Sequence, residues 1–130
     1  MPFINTTTNI NITKEQEQII KARYANAISV IGKSEAYLML GFNNSCSMYF
    51  AGDNSSSLAF VEVKFLGTAT SDKLNTLTGE ICSILFEELN IAKDKIYVKY
   101  EAVENWGWNG RNFWWIKNNG WQIKSVYVII

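Results

Sequence analysis

The sequence predicts an α+β fold, a two-layer α/β sandwich built from two copies of a strand–helix–strand unit. Three observations support this prediction. Two amphipathic helical stretches each lie between two apolar stretches that are rich in β-branched and aromatic residues. The segment IGKSEAYLML after the first helix matches NIAKDKIYVKY after the second. The 130 residues, 48% of them hydrophobic, are also enough for one domain with a buried core.

The first half begins with an extended stretch over residues 3–12, where β-branched and polar residues follow one another. Thr13 and Gln16 then have the spacing of a capping box, which predicts a helix over residues 14–31. Gly32 is placed to end that helix in a left-handed conformation. The apolar residues at helical spacing are Ile20, Tyr24, Ala27, Ile28 and Ile31.

Three strands are predicted between the two helices. Residues 36–42 (AYLMLGF) have the composition of a buried strand, and residues 48–50 predict a short one. Residues 58–66 (LAFVEVKFL) alternate, so Glu62 and Lys64 lie on one face. The opposite face carries Val61, Val63 and Phe65.

The second helix is expected to begin at Ser71 or Asp72, either of which can cap it, and to end at Asn90. Its apolar stripe consists of Leu74, Leu77, Ile81, Ile84, Leu85 and Leu89. Residues 95–100 (KIYVKY) predict the next strand. A tryptophan-rich turn follows, marked by Gly107, Asn109 and Gly110.

Two such units imply parallel pairing within each half and right-handed crossovers. Both helices then cover one face of a four-stranded mixed sheet. The other face carries Val or Phe beside Lys or Glu and has no cover within one chain. We therefore expect an oligomer.

Composition excludes several classes of function. The chain has no histidine, which removes histidine-based triads, bases and metal ligands. A net charge of +0, with 18% charged residues, argues against nucleic-acid binding. Cys46 and Cys82 form no Cys-x-x-Cys motif and are expected to be reduced core thiols of an intracellular protein. The N-terminus lacks the pattern of a secretory signal and no stretch is long enough to cross a bilayer, so we expect a cytoplasmic protein with no membrane partner.

Pro2 is the only proline and directly follows Met1. The initiator methionine is normally removed before a small second residue, which would leave Pro2 as a secondary amine at the N-terminus. An α-amino group has an ordinary pKa of about 7.7–8.0, and burial or a neighbouring cation lowers the pKa further. Such an amine can act as a general base. The alternative is an ordinary terminal proline without a function.

Two other features are candidates for a site. Lys33 follows the predicted helix end, beside the first strand if the crossover is right-handed, where it could bind an anionic substrate and lower the pKa of the Pro2 amine. The alternative is a solvated loop lysine. Trp106, Trp108 and Phe113 lie among turn residues and suit the wall of an aromatic pocket, or else a core or interface anchor.

Together these residues resemble the macrophage migration inhibitory factor family of the tautomerase superfamily. The resemblance runs from Pro2 to Phe113, and the order and spacing of its anchors are more specific than any single one. The anchors are Met1-Pro2-Phe3-Ile4 with Thr8-Asn9, Gly32-Lys33 with Tyr37, Gly67, Ile96-Tyr97-Val98, and Gly107-Trp108-Asn109-Gly110 with Phe113. The resemblance implies a domain over residues 1–113 that assembles as a homotrimer, with active sites at subunit interfaces.

The resemblance also implies roles for individual residues. Pro2 would move a proton between the carbon and the oxygen of a keto–enol pair, Lys33 would bind the substrate carboxylate, and Tyr97 would come from the neighbouring subunit. A backbone N–H near Leu66 would contact the substrate. The aromatic floor would be Trp108 and Phe113, with Tyr37 at its rim. We expect no metal ion and no cofactor.

Several positions depart from the family's vertebrate cytokines. Lys99 replaces an asparagine there and lies on the same strand face as Tyr97, so it could add a second cation to the pocket. Trp106 replaces a small apolar residue and could narrow the pocket. The segment Ser57–Phe60 replaces a Cys-x-x-Cys, so thiol–disulfide activity is not expected.

The last residues, 114–130, form an extension beyond the usual end of the family. Asn118-Asn119-Gly120 lies between two aromatic and β-branched runs, which predicts a β-hairpin. The hairpin either packs on the subunit or its neighbour, which we favour, or covers the pocket mouth and alters assembly.

The predicted function is a keto–enol tautomerase of phenylpyruvate-like α-keto acids, with Pro2 as general base after removal of Met1. The alternative is a cytokine-like signalling or binding protein with a protein receptor and weak or no activity, for which secretion without a signal peptide stays open. A weaker alternative, an aromatic-platform sugar binder, would need the five tryptophans exposed on one face.

Overall fold

A computed structural model of the chain describes residues 1–115 and shows two strand–helix–strand units joined in one sheet. The strands are β1 (Pro2–Thr8), β2 (Met39–Asn43), β3 (Ala59–Leu66), β4 (Ile96–Val103), β5 (Asn105–Trp108) and β6 (Arg111–Trp114). The α-helices are α1 (Lys14–Ala27) and α2 (Ser71–Leu89). Short 3₁₀ helices cover Ile28–Ile31, Glu35–Tyr37 and Lys93–Lys95.

The main sheet has the strand order β2-β1-β3-β4. β1 pairs with β2 in parallel and β3 pairs with β4 in parallel, while β1 and β3 are antiparallel. The parallel pair in each half requires a crossover, and α1 and α2 supply it. The predicted α+β fold with a duplicated unit and a mixed four-stranded sheet is therefore confirmed.

Strand alternation decides which side chains enter the core. In β3, Val61, Val63 and Phe65 are fully buried, as the sequence predicted, while Glu62 and Lys64 are on the other face. β1 alternates in the same way. Its buried Thr6 has a hydroxyl 2.7 Å from the Tyr24 hydroxyl of α1, so the polar group is hydrogen-bonded inside the core.

Both helices begin and end with recognisable caps. The Thr13–Gln16 capping box is present, and Gly32 ends the 3₁₀ extension of α1 with φ +76°. α2 is capped by Thr70, one residue before the predicted Ser71 or Asp72, because the Thr70 hydroxyl accepts from the Lys73 N–H. Asn90 ends α2 in the left-handed conformation, as predicted.

Several predicted boundaries are wrong. The α-helical part of residues 14–31 ends at Ala27, and the last turn is 3₁₀. Residues 36–42 do not form one strand, because the Ser34 hydroxyl accepts from the Ala36 N–H and starts a 3₁₀ turn before β2. Residues 48–50 do not form a strand and contribute an isolated bridge between Phe50 and Asp53.

The cysteine prediction is half right. Cys82 is buried on α2, but Cys46 is only partly buried in the loop after β2, so it is not a core residue. Both are free thiols. Most of the predicted C-terminal extension, including the Asn118-Asn119-Gly120 turn, lies outside the described residues.

Candidate active site

The N-terminal end of β1 lies against the C-terminal end of β3. Pro2 is buried and lies opposite Phe65 in the antiparallel register. Gly32 turns the chain out of the first helix with a positive φ, and Lys33 follows it. The first crossover therefore delivers Lys33 to the same sheet end as Pro2.

Lys33 is buried, with only 7% of its surface exposed. Its Nζ donates a hydrogen bond to the Leu66 carbonyl oxygen at 2.9 Å and lies 5.8 Å from the centre of the Phe65 ring. Burial lowers the pKa of Lys33 below its ordinary value of 10.5. An ammonium group has three donors, so the bond to Leu66 leaves two for an anionic ligand.

Met1 fills the space beside these groups. It is 3% exposed and forms a small apolar cluster with Leu66 and Phe113, and the partly buried Trp106 and Trp115 pack against that cluster. This cluster, which we call the N-terminal cluster, is separate from the main core between the sheet and the helices. The side chain of Met1 therefore occupies a space that is lined by apolar and aromatic side chains.

The α-amino group in this cluster has an unusual protonation equilibrium. Burial, and secondly the charge of Lys33, lower the pKa of the Met1 amine from 8.0 to about 5. The amine is therefore neutral at pH 7 and can accept a proton. Burial and the charge of Lys33 are both properties of the protein around the amine, and neither depends on the methionine side chain.

The β5–β6 hairpin supplies the aromatic wall. Asn109 and Gly110 both have positive φ, as a tight hairpin turn requires, and Trp106 lies directly opposite Phe113. The Trp108 ring is 5.8 Å from that of Phe113. Tyr37, from the 3₁₀ turn before β2, meets Trp108 edge-on, with the ring centres 5.6 Å apart.

Seven of the nine predicted site residues therefore meet at one end of the sheet, and two do not. Tyr97 is 57% exposed on β4, where its ring meets that of Phe50 with centres 5.4 Å apart. Lys99 lies two residues along and pairs with the carboxylate of Glu101 at 3.2 Å. Within this chain Lys99 is therefore not a second cation beside Lys33.

The sheet register shows why Tyr97 lies far from Pro2. Pro2 is opposite Phe65, and Phe65 is opposite Ala102, which is five residues along β4 from Tyr97. At about 3.3 Å per residue, this offset is about 16 Å along the strand. Tyr97 can approach a Pro2 only if that Pro2 belongs to another copy of the chain.

Sequence reasoning gave no place in the site to three residues of this region: Met1 and Gly67, which were named only as anchors of the resemblance, and Trp115. Gly67 follows β3 with φ +109°, and a Cβ there would lie 3.2 Å from the Trp115 ring. The signal for Trp115 was available, because strand alternation places it on the same side as Phe113 and places Trp114 on the other side. Trp114 is indeed exposed and Trp115 partly buried.

A groove of about 590 Å³ lies elsewhere on the molecule, between α1 and α2. Arg23 lines it, but two carboxylates, those of Glu87 and Glu88, each bind that guanidinium at 2.8 Å. Within residues 1–115 there is no cluster of acidic, cysteine or histidine side chains that could hold a metal ion. Nor does that part of the chain contain a helix that could span a membrane.

Comparison with known proteins assigns the chain to a family. The family model described as macrophage migration inhibitory factor matches residues 1–114. The macrophage migration inhibitory factor of Meriones unguiculatus is 25% identical over 115 residues, which is 87% of this chain and 99% of that protein. The D-dopachrome decarboxylase-B of Xenopus laevis is 23% identical over 85% of this chain and 95% of its own length.

A solved structure agrees with the sequence comparison. MIF2 of Leishmania major is similar with a TM-score of 0.81 and 28% identity, covering 87% of this chain and 97% of that one. The similarity thus spans both strand–helix–strand units and the aromatic hairpin of the site.

Proposed function

Because the chain belongs to the macrophage migration inhibitory factor family, we propose that it is a keto–enol tautomerase that acts on phenylpyruvate-like α-keto acids. One observation carries the proposal: an α-amino group whose pKa is lowered to about 5 lies beside a buried lysine and an aromatic wall. The name of the Xenopus laevis relative, D-dopachrome decarboxylase-B, supports enzymatic activity within the family.

The base in this proposal is Pro2 after removal of Met1. While Met1 is present, the nitrogen of Pro2 belongs to an amide and has no basic lone pair. Removal makes that nitrogen the terminal amine and opens the volume that the Met1 side chain fills. The burial and the Lys33 charge that lower the pKa of the Met1 amine then act on the amine of Pro2.

The reaction needs one proton to move and no other reagent. The neutral amine takes the α-proton from the carbon of the keto acid, and the ammonium formed returns that proton to the enolate oxygen, so atoms and charge balance and the amine is neutral again. Lys33 binds the substrate carboxylate with its remaining donors, and the backbone after Leu66 offers a further contact. Trp106, Trp108, Phe113 and Tyr37 exclude water and hold the aryl group.

The complete site in this proposal is shared between subunits of a homotrimer. The open sheet face supports assembly, because it carries exposed Tyr97 and Met39 beside charged side chains. Tyr97 lies too far along the sheet to serve the Pro2 of its own chain, so a neighbouring chain would supply it. Lys99 would arrive with it, still next to its partner Glu101.

The test follows the enol–ketone interconversion of phenylpyruvate, using protein whose intact mass shows that Met1 is absent. We expect Pro2→Gly to lower the rate about 100-fold, as expected for loss of a positioned general base. Tyr49→Phe is the matched control, because Tyr49 is exposed in the loop after β2. Equal rates for the wild type and Pro2→Gly would overturn the proposal.

Retained Met1 would favour the second candidate, a cytokine-like signalling or binding protein with a receptor. The apolar side chain of Met1 then fills the site, and no basic nitrogen is available at Pro2. The intact mass of the natural protein distinguishes the two candidates. Under the enzyme proposal we expect the protein to act in the cytoplasm, whereas a receptor outside the cell would require secretion.

A further inference from the structure

Trp115 is the one aromatic residue of the N-terminal cluster that the tautomerase proposal leaves without a role. It lies one residue beyond the 1–114 stretch that the family model matches. Its ring nevertheless packs against the N-terminal cluster of Met1, Leu66 and Phe113, at the sheet end where the proposed base Pro2 lies. A side chain that the family pattern does not include is thus part of the wall of this site.

Two contacts fix the position of Trp115. Its backbone N–H donates to the Glu104 carbonyl oxygen at 2.8 Å, which holds the chain at the end of β6. Its ring lies so close to Gly67 that a Cβ on that residue would be 3.2 Å from the ring. Gly67 directly follows Leu66, whose carbonyl accepts from Lys33, so the indole is anchored next to the lysine-binding end of β3.

The indole N–H of Trp115 has no acceptor in the part of the chain that the structure describes. Among residues 1–115, its Nε1 is the only buried side-chain nitrogen or oxygen without a hydrogen-bond partner. Buried polar groups are nearly always paired, so an unpaired donor in a cluster beside the site calls for an explanation. Two carbonyl acceptors in this region are already in use: that of Leu66 accepts from the Lys33 ammonium at 2.9 Å, and that of Val103 accepts from the Gly67 N–H at 2.9 Å.

We propose that Trp115 is a substrate-binding residue, whose indole N–H donates a hydrogen bond to an oxygen of the α-keto acid bound beside Pro2. This inference rests on the proposed function. Removal of Met1 vacates the space against which Trp115 packs, and a keto acid entering it brings carboxylate and carbonyl acceptors. The indole plane also extends the aromatic wall of Trp106 and Phe113, which favours substrates with an aryl group.

The first test observes the donor directly. The five tryptophan indole N–H signals are recorded by nitrogen–proton NMR on protein without Met1, and Trp115→Phe identifies the signal of Trp115. Saturating phenylpyruvate should move this signal downfield, as a new hydrogen bond requires. The Trp114 signal should stay in place, because that neighbouring ring is 40% exposed on the other side of the strand. An unmoved Trp115 signal at saturation would overturn the inference.

The second test measures affinity by calorimetry at tautomeric equilibrium. Trp115→Phe keeps an aromatic ring and removes only the N–H, so we expect the dissociation constant for phenylpyruvate to rise about fivefold to tenfold, the usual effect of one hydrogen bond. Trp114→Phe is the matched control and should bind as the wild type does. Unchanged binding by Trp115→Phe would contradict the proposed donor.

The two proposals fail in different ways. If Pro2→Gly interconverts phenylpyruvate as fast as the wild type while the Trp115 signal still moves, the tautomerase mechanism is wrong and the binding role stands. If Pro2→Gly loses activity while the Trp115 signal does not move, the binding role is wrong and the mechanism stands. If phenylpyruvate binds neither to the wild type nor to Pro2→Gly, both proposals are overturned.

Discussion

The Nζ of Lys33 donates a hydrogen bond to the carbonyl oxygen of Leu66 at 2.9 Å. These residues belong to different strand–helix–strand units: Lys33 follows the helix of the first unit, and Leu66 ends the first strand of the second. The bond places an ammonium group beside the N-terminal amine and contributes to the low pKa of that amine. The Lys33 ammonium keeps two further hydrogen-bond donors, which can bind an anion.

Lys33→Met should reduce kcat/KM for phenylpyruvate about 10- to 100-fold. The methionine keeps the apolar length of the side chain but removes a charge-assisted hydrogen bond, which is usually worth about 1.5–3 kcal/mol. Steady-state kinetics on protein without Met1 measure the effect. Lys21→Met is the matched control, because Lys21 is exposed on α1, away from the open sheet face, and it should change kcat/KM little. Equal losses in both variants would contradict a role for Lys33 in binding.

The stability of the chain that retains Met1 should fall as the pH falls from 8 to 5. The unfolded amine has an ordinary pKa of 8.0 and the folded amine a pKa of about 5, so within this window the unfolded chain binds a proton that the folded chain does not. No histidine titrates there. Urea unfolding at several pH values measures the slope, and an N-terminally acetylated chain, which has no amine, should show a weaker dependence.

Gly67→Ala should destabilise the protein by about 1–3 kcal/mol. Its φ of +109° is strained for any residue with a Cβ, and that Cβ would meet the Trp115 ring at 3.2 Å. Gly79→Ala is the control. Gly79 lies inside α2 with nothing within 4 Å of its added Cβ, so this change should stabilise the protein by about 0.5–1 kcal/mol. Thermal unfolding of both variants compares them, and shifts of the same sign would show that the contact with Trp115 is not tight.

Tyr24→Phe should destabilise the protein by about 1–3 kcal/mol, because it leaves the buried Thr6 hydroxyl without its partner at 2.7 Å. Adding Thr6→Val should recover part of this loss, since both polar groups are then gone. Denaturant unfolding of the two single variants and the double variant measures the coupling. Additive effects would mean that this hydrogen bond contributes nothing. Tyr49→Phe, at an exposed position, should change stability by less than about 0.5 kcal/mol.

Mixing two inactive variants should restore activity if the site is shared between subunits. Pro2→Gly lacks the base and Tyr97→Phe lacks the hydroxyl that a neighbour is proposed to supply. Refolding the two together forms mixed assemblies in which some sites combine an intact Pro2 with an intact Tyr97. Phenylpyruvate interconversion measures the recovery. Refolding each variant alone is the control, and a mixture no more active than the two separate preparations would argue against a shared site.

Much of the fold could be predicted from local patterns. The alternation in β3 separated Val61, Val63 and Phe65 from Glu62 and Lys64, because successive side chains of a strand point to opposite faces. The capping box at Thr13 and the left-handed Gly32 marked helix ends through short-range hydrogen bonds and backbone geometry. Composition alone misled at residues 48–50, where the chain turns and never pairs with the sheet.

The candidate site was only partly predictable. The sequence predicted that Pro2 and Lys33 lie close together, because a right-handed crossover returns the chain beside the first strand. Lys99 could be placed on the face of Tyr97, but its pairing with Glu101 depends on side-chain conformations that alternation does not specify. The packing of Trp115 on Gly67 joins residues 48 positions apart, and neither residue has a local pattern that identifies the other.

The sequence by itself determined the two strand–helix–strand units and the faces that their strands and helices bury, and it excluded histidine-based chemistry. These properties follow from periodicity and composition within a few residues. Only the tertiary structure decided that the N-terminal amine is buried beside Lys33, that Met1 fills the aromatic cluster, and that the Trp115 N–H lacks an acceptor within residues 1–115. Burial, and therefore a pKa or an unpaired donor, depends on which distant segments pack together, and packing is a property of the whole fold.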